Sequence, residues 1–363
     1  MSSFVPALAG LLFASLAAGC GARSAIDDTA VADAPRVADC ARQAPDAVPL
    51  ARIAPLPGGK GADPFRFASD RDYLYFASEG RIWRVAKAFG APQPLTPPDS
   101  AGSRVEVRGD SVFWSRDGEV FRAPADGGDP ESIGTAPGEW TISGQDLVTA
   151  GAPAQPAPVI RTPLGGGPSQ EILPLDPEQD VRGLAPAGDG VLVQRSDDLV
   201  LIPASDAPVV LAKAQARTLG SPVEEGGFAY FGADNTSNST LESALQRVTA
   251  GGGAGPEILL DGFVADLAVA GDTLFANVVL RQPGDVFVGV LVRLPKSGGP
   301  FTPMAKTDAW APDSSPGSTP PYGKHAGGLA ADADHVYLIQ RCTDIQSAEY
   351  RLVSLPADEV ISL

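Results

Sequence analysis

Two residues, His325 and His335, are the whole imidazole inventory of this chain. A zinc centre built on several histidines, or a protease of the HExxH type, needs more of them or a tighter spacing. A Ser-His-Asp arrangement would have to use His325, and no GxSxG turn is present to raise a serine above a sheet. His335 opens the apolar run Val336-Tyr337-Leu338-Ile339 and reads as a structural residue. Gly165-Gly166-Gly167 lacks the lysine and helix that complete a phosphate loop, so it reads as a turn. Nothing among the 44 acidic residues singles out the carboxylate pair of a glycosidase. No cofactor is expected.

Two groups of residues could bind rather than react. Trp310, Tyr322, Lys324 and His325, within residues 306–328, are the densest collection of aromatic and titratable side chains outside a strand, and a sugar or peptide could stack there. Asp234, Asn235, Asn238 and Glu242 set oxygen ligands close together, as a hard cation such as calcium would want. The EF-hand glycine is missing, however, and Asn and Asp serve equally well as turn residues. Asp234 and Asn238 are therefore kept as candidate ligand-binding positions, with no metal assigned.

The elements that must carry these residues form a repeat. From Phe65 onward one unit recurs: a short apolar strand, a turn with Asp or Gly, a second strand, another turn, a third strand often holding Arg, a Gly/Pro turn, and a last short strand. Val105 to Ile133 is the clearest copy. Alignment on the third strand finds seven copies, with Arg84, Arg122, Arg161, Arg247 and Arg293 in five of them and an average spacing of roughly 40 residues. Second strands such as Leu74-Tyr75-Phe76 are apolar at consecutive positions, which a sheet covered on both faces requires. An isolated four-stranded sheet cannot supply that cover, so the units must pack on one another, and a closed ring leaves none exposed. The expectation is an all-β, seven-bladed β-propeller of four-stranded antiparallel blades over residues 48–363; a pair of β-sandwiches is the alternative. Val48 to Ile53 is short and apolar enough to lie against the last blade and close the ring.

With strands named A to D from the axis outward, A–B and C–D turns share one face, and B–C loops share the other with the crossovers between blades. Extra length collects in the B–C loops 150–158, 232–244, 281–286 and 341–349 and in the crossover 306–328. All lie on one face, which becomes the candidate binding surface, because loops on a rigid scaffold are where binding concentrates.

Ahead of the repeat, Leu8 to Ala18 is an apolar run too short for a comfortable membrane span. Leu16-Ala17-Ala18-Gly19-Cys20 resembles a bacterial lipobox, which implies a signal peptide over residues 1–19 and lipidation of Cys20; a plain secretory signal is the alternative. Residues 20–47, rich in Ala, Asp and Pro, then read as a flexible tether. Cys40 and Cys342 remain as thiols and would pair in an oxidising compartment, or stand as two unrelated thiols. The formal charge of −17 argues against nucleic acid and against anionic lipid surfaces, leaving the N-terminal lipid as the membrane contact.

The run hxRxPxxGGxP, seen from Phe121 to Pro130 and from Leu291 to Pro300, resembles that of TolB-type periplasmic propellers and related propeller lipoproteins of bacterial cell envelopes. TolB-type propellers have six blades and an additional α/β domain, neither of which is read here. For the wider class the resemblance implies binding or scaffolding in the envelope, at the outer membrane and facing periplasm or cell surface. Ser115-Arg116-Asp117-Gly118 with Phe121 is similar to the Asp-box of sialidase propellers, one residue short and unrepeated. The expectation is a monomeric, non-catalytic lipoprotein that binds an envelope protein or glycan through its long-loop face. The alternative is a propeller hydrolase or lyase acting on polysaccharide or peptide.

Overall fold

The computed structural model describes residues 47–53, 67–100, 102, 104–151, 157–174, 179–213, 222–234, 243–282, 286–307, 328–341 and 350–361. The chain divides into two units, Met1–Arg36 and Val37–Leu363, and the second carries the fold. Strand β1 is Val48–Ile53. Blade 1 holds β2 (Ala68–Ser69), β3 (Tyr73–Ser78), β4 (Arg81–Ala86) and β5 (Gln93–Pro94). Blade 2 holds β6 (Val105–Arg108), β7 (Ser111–Arg116), β8 (Glu119–Pro124) and β9 (Glu131–Thr135). Blade 3 holds β10 (Trp140–Ser143), β11 (Asp146–Thr149), β12 (Val159–Pro163) and β13 (Gln170–Leu173). Blade 4 holds β14 (Val181–Ala187), β15 (Gly190–Arg195), β16 (Asp198–Ile202) and β17 (Val209–Lys213). Blade 5 holds β18 (Val223–Glu225), β19 (Phe228–Asp234), β20 (Ser243–Thr249) and β21 (Glu257–Asp261). Blade 6 holds β22 (Phe263–Ala270), β23 (Thr273–Gln282), β24 (Val286–Pro295) and β25 (Thr302–Lys306). Blade 7 holds β26 (Leu329–Ala331), β27 (His335–Arg341) and β28 (Tyr350–Pro356).

Each blade is a four-stranded antiparallel sheet, and the seventh is completed by β1, which pairs with β28 as Val48↔Ser354 through Ile53↔Tyr350. The first strands of successive blades approach one another, as β10 does β14 and β22 does β26, and so line the axis. The chain is a seven-bladed β-propeller, and its N-terminal strand closes the ring as the sequence predicts.

Turn chemistry sets the blade register. Asp117 and Gly118 adopt φ of 52° and 81°, the two left-handed positions of the primed hairpin turn between β7 and β8. The Asp-box likeness is therefore this turn. Between β6 and β7, Gly109 adopts φ 53°, which costs an L side chain about 1 kcal/mol or more. Blades 1 and 7 turn on an aspartate instead: Asp70 Oδ1 accepts the amides of Asp72 and Tyr73, and Asp332 Oδ1 those of Asp334 and His335.

The core lies between blades. Trp114, Ile82 and Tyr75 fill the space between blades 1 and 2, while Leu184, Val191 and Val148 fill that between blades 3 and 4. Both faces of the middle strands are buried, which is why their sequences run apolar without alternating.

The recurring third-strand arginine spans the seams. Arg84 Nη1 donates to the Ala125 carbonyl at 2.9 Å, Arg161 Nη1 to Ala204 at 3.1 Å, Arg247 Nη1 to Lys296 at 2.5 Å and Arg293 Nη1 to Ala357 at 2.7 Å. Ala125, Ala204 and Lys296 lie in the C–D turn of the next blade, and Ala357 directly follows β28, the third strand of blade 7, whose fourth strand is β1. The first residue of the arginine's own second strand steadies it: Tyr73 under Arg84, Phe228 under Arg247, and Asp146 beside Arg161. Arg122 instead pairs with Glu131 of its own blade.

One expected loop differs. Residues 281–286 read as a B–C loop, yet β23 and β24 continue pairing to Gln282↔Val286, beyond the last pairs that β22 and β25 make at Val279 and Val290. The β-branched and aromatic residues Val286, Phe287 and Val288 extend the ladder, and blade 6 carries a projecting two-stranded ribbon. Blade 5 shows the same effect on a smaller scale, with Gly232, Ala233 and Asp234 paired inside β19.

Candidate functional site

The face bearing the B–C loops and crossovers is the nominated surface. Asp234 ends β19 and pairs with Ser243, placing it at the rim of that face. Asn235, Asn238, Glu242, Trp310, Tyr322, Lys324 and His325 lie outside the described residues, as do Cys20, Cys40 and Cys342. The described part of the face holds the blade 6 ribbon and, on blade 4, a fixed set of charges. Arg195 forks onto Asp198, with Nε to Oδ1 at 2.6 Å and a second bond from Nη2 to Oδ2, while its Nη1 donates to Gln179 Oε1 at 2.8 Å. Arg182 pairs with Asp180 at 3.1 Å.

A second constellation surrounds the axis. Arg104, just ahead of β6, donates through Nη1 to Glu139 Oε2 at 2.6 Å and through Nη2 to Glu106 Oε1 at 2.9 Å and the Leu184 carbonyl at 3.2 Å. Its guanidinium also lies 5.3 Å from the centre of the Trp140 ring. Glu106 Oε2 accepts the Thr141 hydroxyl at 3.1 Å and the Ile142 amide at 3.0 Å. A buried charge must be paired and hydrogen-bonded to be tolerated, and this group meets that demand by tying blades 2, 3 and 4 together. Both carboxylates accept from these donors, Glu139 through Oε2 and Glu106 through both oxygens. The sequence signal was present: Arg104, Glu106 and Arg108 alternate with valines on an inner strand, where polar side chains must meet the channel.

On the opposite face, a cleft of about 780 Å³ opens between blades 6 and 7, within the usual size of ligand pockets. Asp272, Asp332, Asp334, Asp358 and Arg293 are among its lining residues. Loop length points to the other face, and nothing in residue type marks this cleft, which is lined by the A–B turns of blades 6 and 7 at Asp272 and at Asp332 to Asp334. Burial opposes ionisation of Asp332, but the His335 amide, the Tyr337 hydroxyl, the Asp334 amide and the Lys87 ammonium outweigh it and hold the carboxyl below the usual range. Burial, together with hydrogen bonds to Asp332 and Asp70, pushes the Tyr337 and Tyr75 hydroxyls well above the ordinary tyrosine range, and burial raises Tyr230. Among the described residues, no group of three or more His, Cys, Asp or Glu is placed to hold a metal ion.

No protein-family model and no curated protein matches the chain. Solved structures do. The WD40 domain of Neurospora crassa Pan2 is similar over 87% of this chain and 98% of that domain, at 12% identity and a TM-score of 0.52. The tricorn protease is similar over 86% of this chain at 10% identity and a TM-score of 0.50, and this chain spans about a third of its length (34%). The extracellular domain of a hybrid two-component system from B. thetaiotaomicron is similar over 84% of this chain and 39% of that one, at 9% identity and a TM-score of 0.49. At such identities the likeness is one of fold.

Proposed function

We propose that the chain is a non-catalytic lipoprotein of the bacterial cell envelope, in the manner of the TolB-like propeller lipoproteins, whose propeller binds a protein or glycan through its long-loop face. In this reading residues 1–19 are removed, Cys20 carries the lipid, residues 20–47 are a tether, and the propeller works as a monomer at the outer membrane. The observation that carries the reading is the asymmetry of the two faces. A–B and C–D turns are tight, as at Gly109, Gly127 and Gly166, whereas the connections 152–156, 235–242, 308–327 and 342–349 and the blade 6 ribbon all belong to the other face. Long connections on a rigid ring support binding, because the scaffold bears the ordering cost that flexible loops alone could not.

The test uses residues 41–363 as bait against an envelope extract, beside a variant in which residues 308–327 are replaced by a short Gly-Ser linker. Recovery of one protein or polysaccharide by the first and its loss with the second supports the reading. Equal recovery by both moves binding off this crossover, and recovery of nothing counts against the proposal. Radiolabelled palmitate incorporation that disappears in Cys20→Ser tests the anchor separately.

A further inference from the structure

The seam between blades 7 and 1 is not crossed by the third-strand arginine, as those after blades 2 and 4 are not, where Arg122 stays on its own blade and Leu201 takes the position. Where blades 1, 3, 5 and 6 place an arginine that reaches the next blade, blade 7 has Ser354, 1% exposed, whose hydroxyl has no hydrogen-bond partner. Blade 1 reaches backward instead. Lys87, which opens its C–D turn, brings its ammonium 3.2 Å from Asp332 Oδ2 and 5.0 Å from the centre of the Tyr337 ring. Two residues on, Phe89 holds φ 64° at the turn position that Gly127, Gly166, Gly252 and Gly298 occupy in blades 2, 3, 5 and 6. A phenylalanine in the left-handed region is strained, and such strain persists only where the surroundings hold it. Here the ring is 52% exposed and meets His335 edge-on at 6.0 Å and 80°.

The connectivity at this seam is also different. Elsewhere the chain passes directly from one complete blade into the next. Between blades 7 and 1 the chain link runs through β1, which joins blade 7 by its pairing with β28 and by Leu50 and Ala51 in the shared core. We propose that Lys87 and Phe89 form a latch particular to this seam, and that the ring opens here before it opens anywhere else.

Hydrogen-exchange mass spectrometry on the full chain tests this. In the unmodified protein, amides of β1 and β28 should exchange ahead of those of β15 and β16; the reverse order overturns the proposal. Lys87→Met should raise exchange in β1, β4 and β28 at least about threefold while β14 to β21 stay unchanged, as expected of a local opening. Arg84→Met, which touches the next seam, should spare β1. Phe89→Gly separates strain from latching, because it relieves the backbone and removes the ring together: faster exchange of the same segments supports a latch, and slower exchange overturns it. A rise spread evenly over all blades with Lys87→Met, or no rise, likewise overturns it.

Discussion

Arg293 Nη1 and the carbonyl oxygen of Ala357, 2.7 Å apart, join blade 6 to blade 7, and Arg84 joins blade 1 to blade 2 through Ala125 in the same way. A charged donor on a partly buried carbonyl contributes about 1–3 kcal/mol, and loss of the donor strands the acceptor. Arg84→Met and Arg293→Met keep the aliphatic stem, so each should lower stability by about 1–2 kcal/mol in urea denaturation of residues 41–363. The two act on separate seams, and the double variant should show their sum within about 0.5 kcal/mol.

Glycine positions allow a matched comparison. A Cβ added at Gly109 or at Gly165 meets nothing within 4 Å, but only Gly109 has a left-handed φ, at 53°. Gly109→Ala should cost about 1 kcal/mol or more through backbone strain alone. Gly165→Ala should be neutral or stabilising by a few tenths of a kcal/mol, because it stiffens the unfolded chain. Equal losses in thermal denaturation of the two variants would show that φ does not set the cost.

Tyr75, Tyr230 and Tyr337 all have hydroxyls raised above the usual range. The folded state binds these protons more tightly than the unfolded state, so their stabilising contribution is complete below the unfolded value near 10 and is lost as pH rises through the folded values. Denaturation midpoints should fall above about pH 10, and Tyr337→Phe should flatten that fall. Asp332, held low, has the opposite sign. Its contribution is present above the unfolded value near 4 and disappears as pH drops through the folded one, so Asp332→Asn should flatten the acid side.

Cys40 and Cys342 are proposed to pair, which topology makes demanding. β27 ends at Arg341 on the long-loop side, next to Cys342, whereas β1 begins at Val48 on the opposite side, beside Ser354. The residues between Cys40 and Val48 reach about 25 Å when extended, against about 20 Å for a six-residue strand. A bridge is therefore within reach only if that segment doubles back along blade 7. Thiol titration of denatured, unreduced residues 21–363 should find no free thiol; two free thiols would sink the pairing.

What the sequence determined by itself is what depends on local pattern: seven units, the place of nearly every middle strand, the short Gly-rich turns, and the closing role of Val48 to Ile53. Consecutive apolar residues such as Leu74, Tyr75 and Phe76 can only belong to a sheet covered on both sides, and a ring of sheets follows from that. The sequence also displayed the periodic arginines without disclosing their use, since Ala125 and Ala357 accept through backbone carbonyls that leave no mark on residue type. The tertiary structure alone decided which blades Arg104 ties together, how far the blade 6 hairpin runs on, and where a cleft opens between two short turns. Each of these depends on distances between residues far apart along the chain, and periodicity, which reports only what a strand does with its immediate neighbours, carries no such distances.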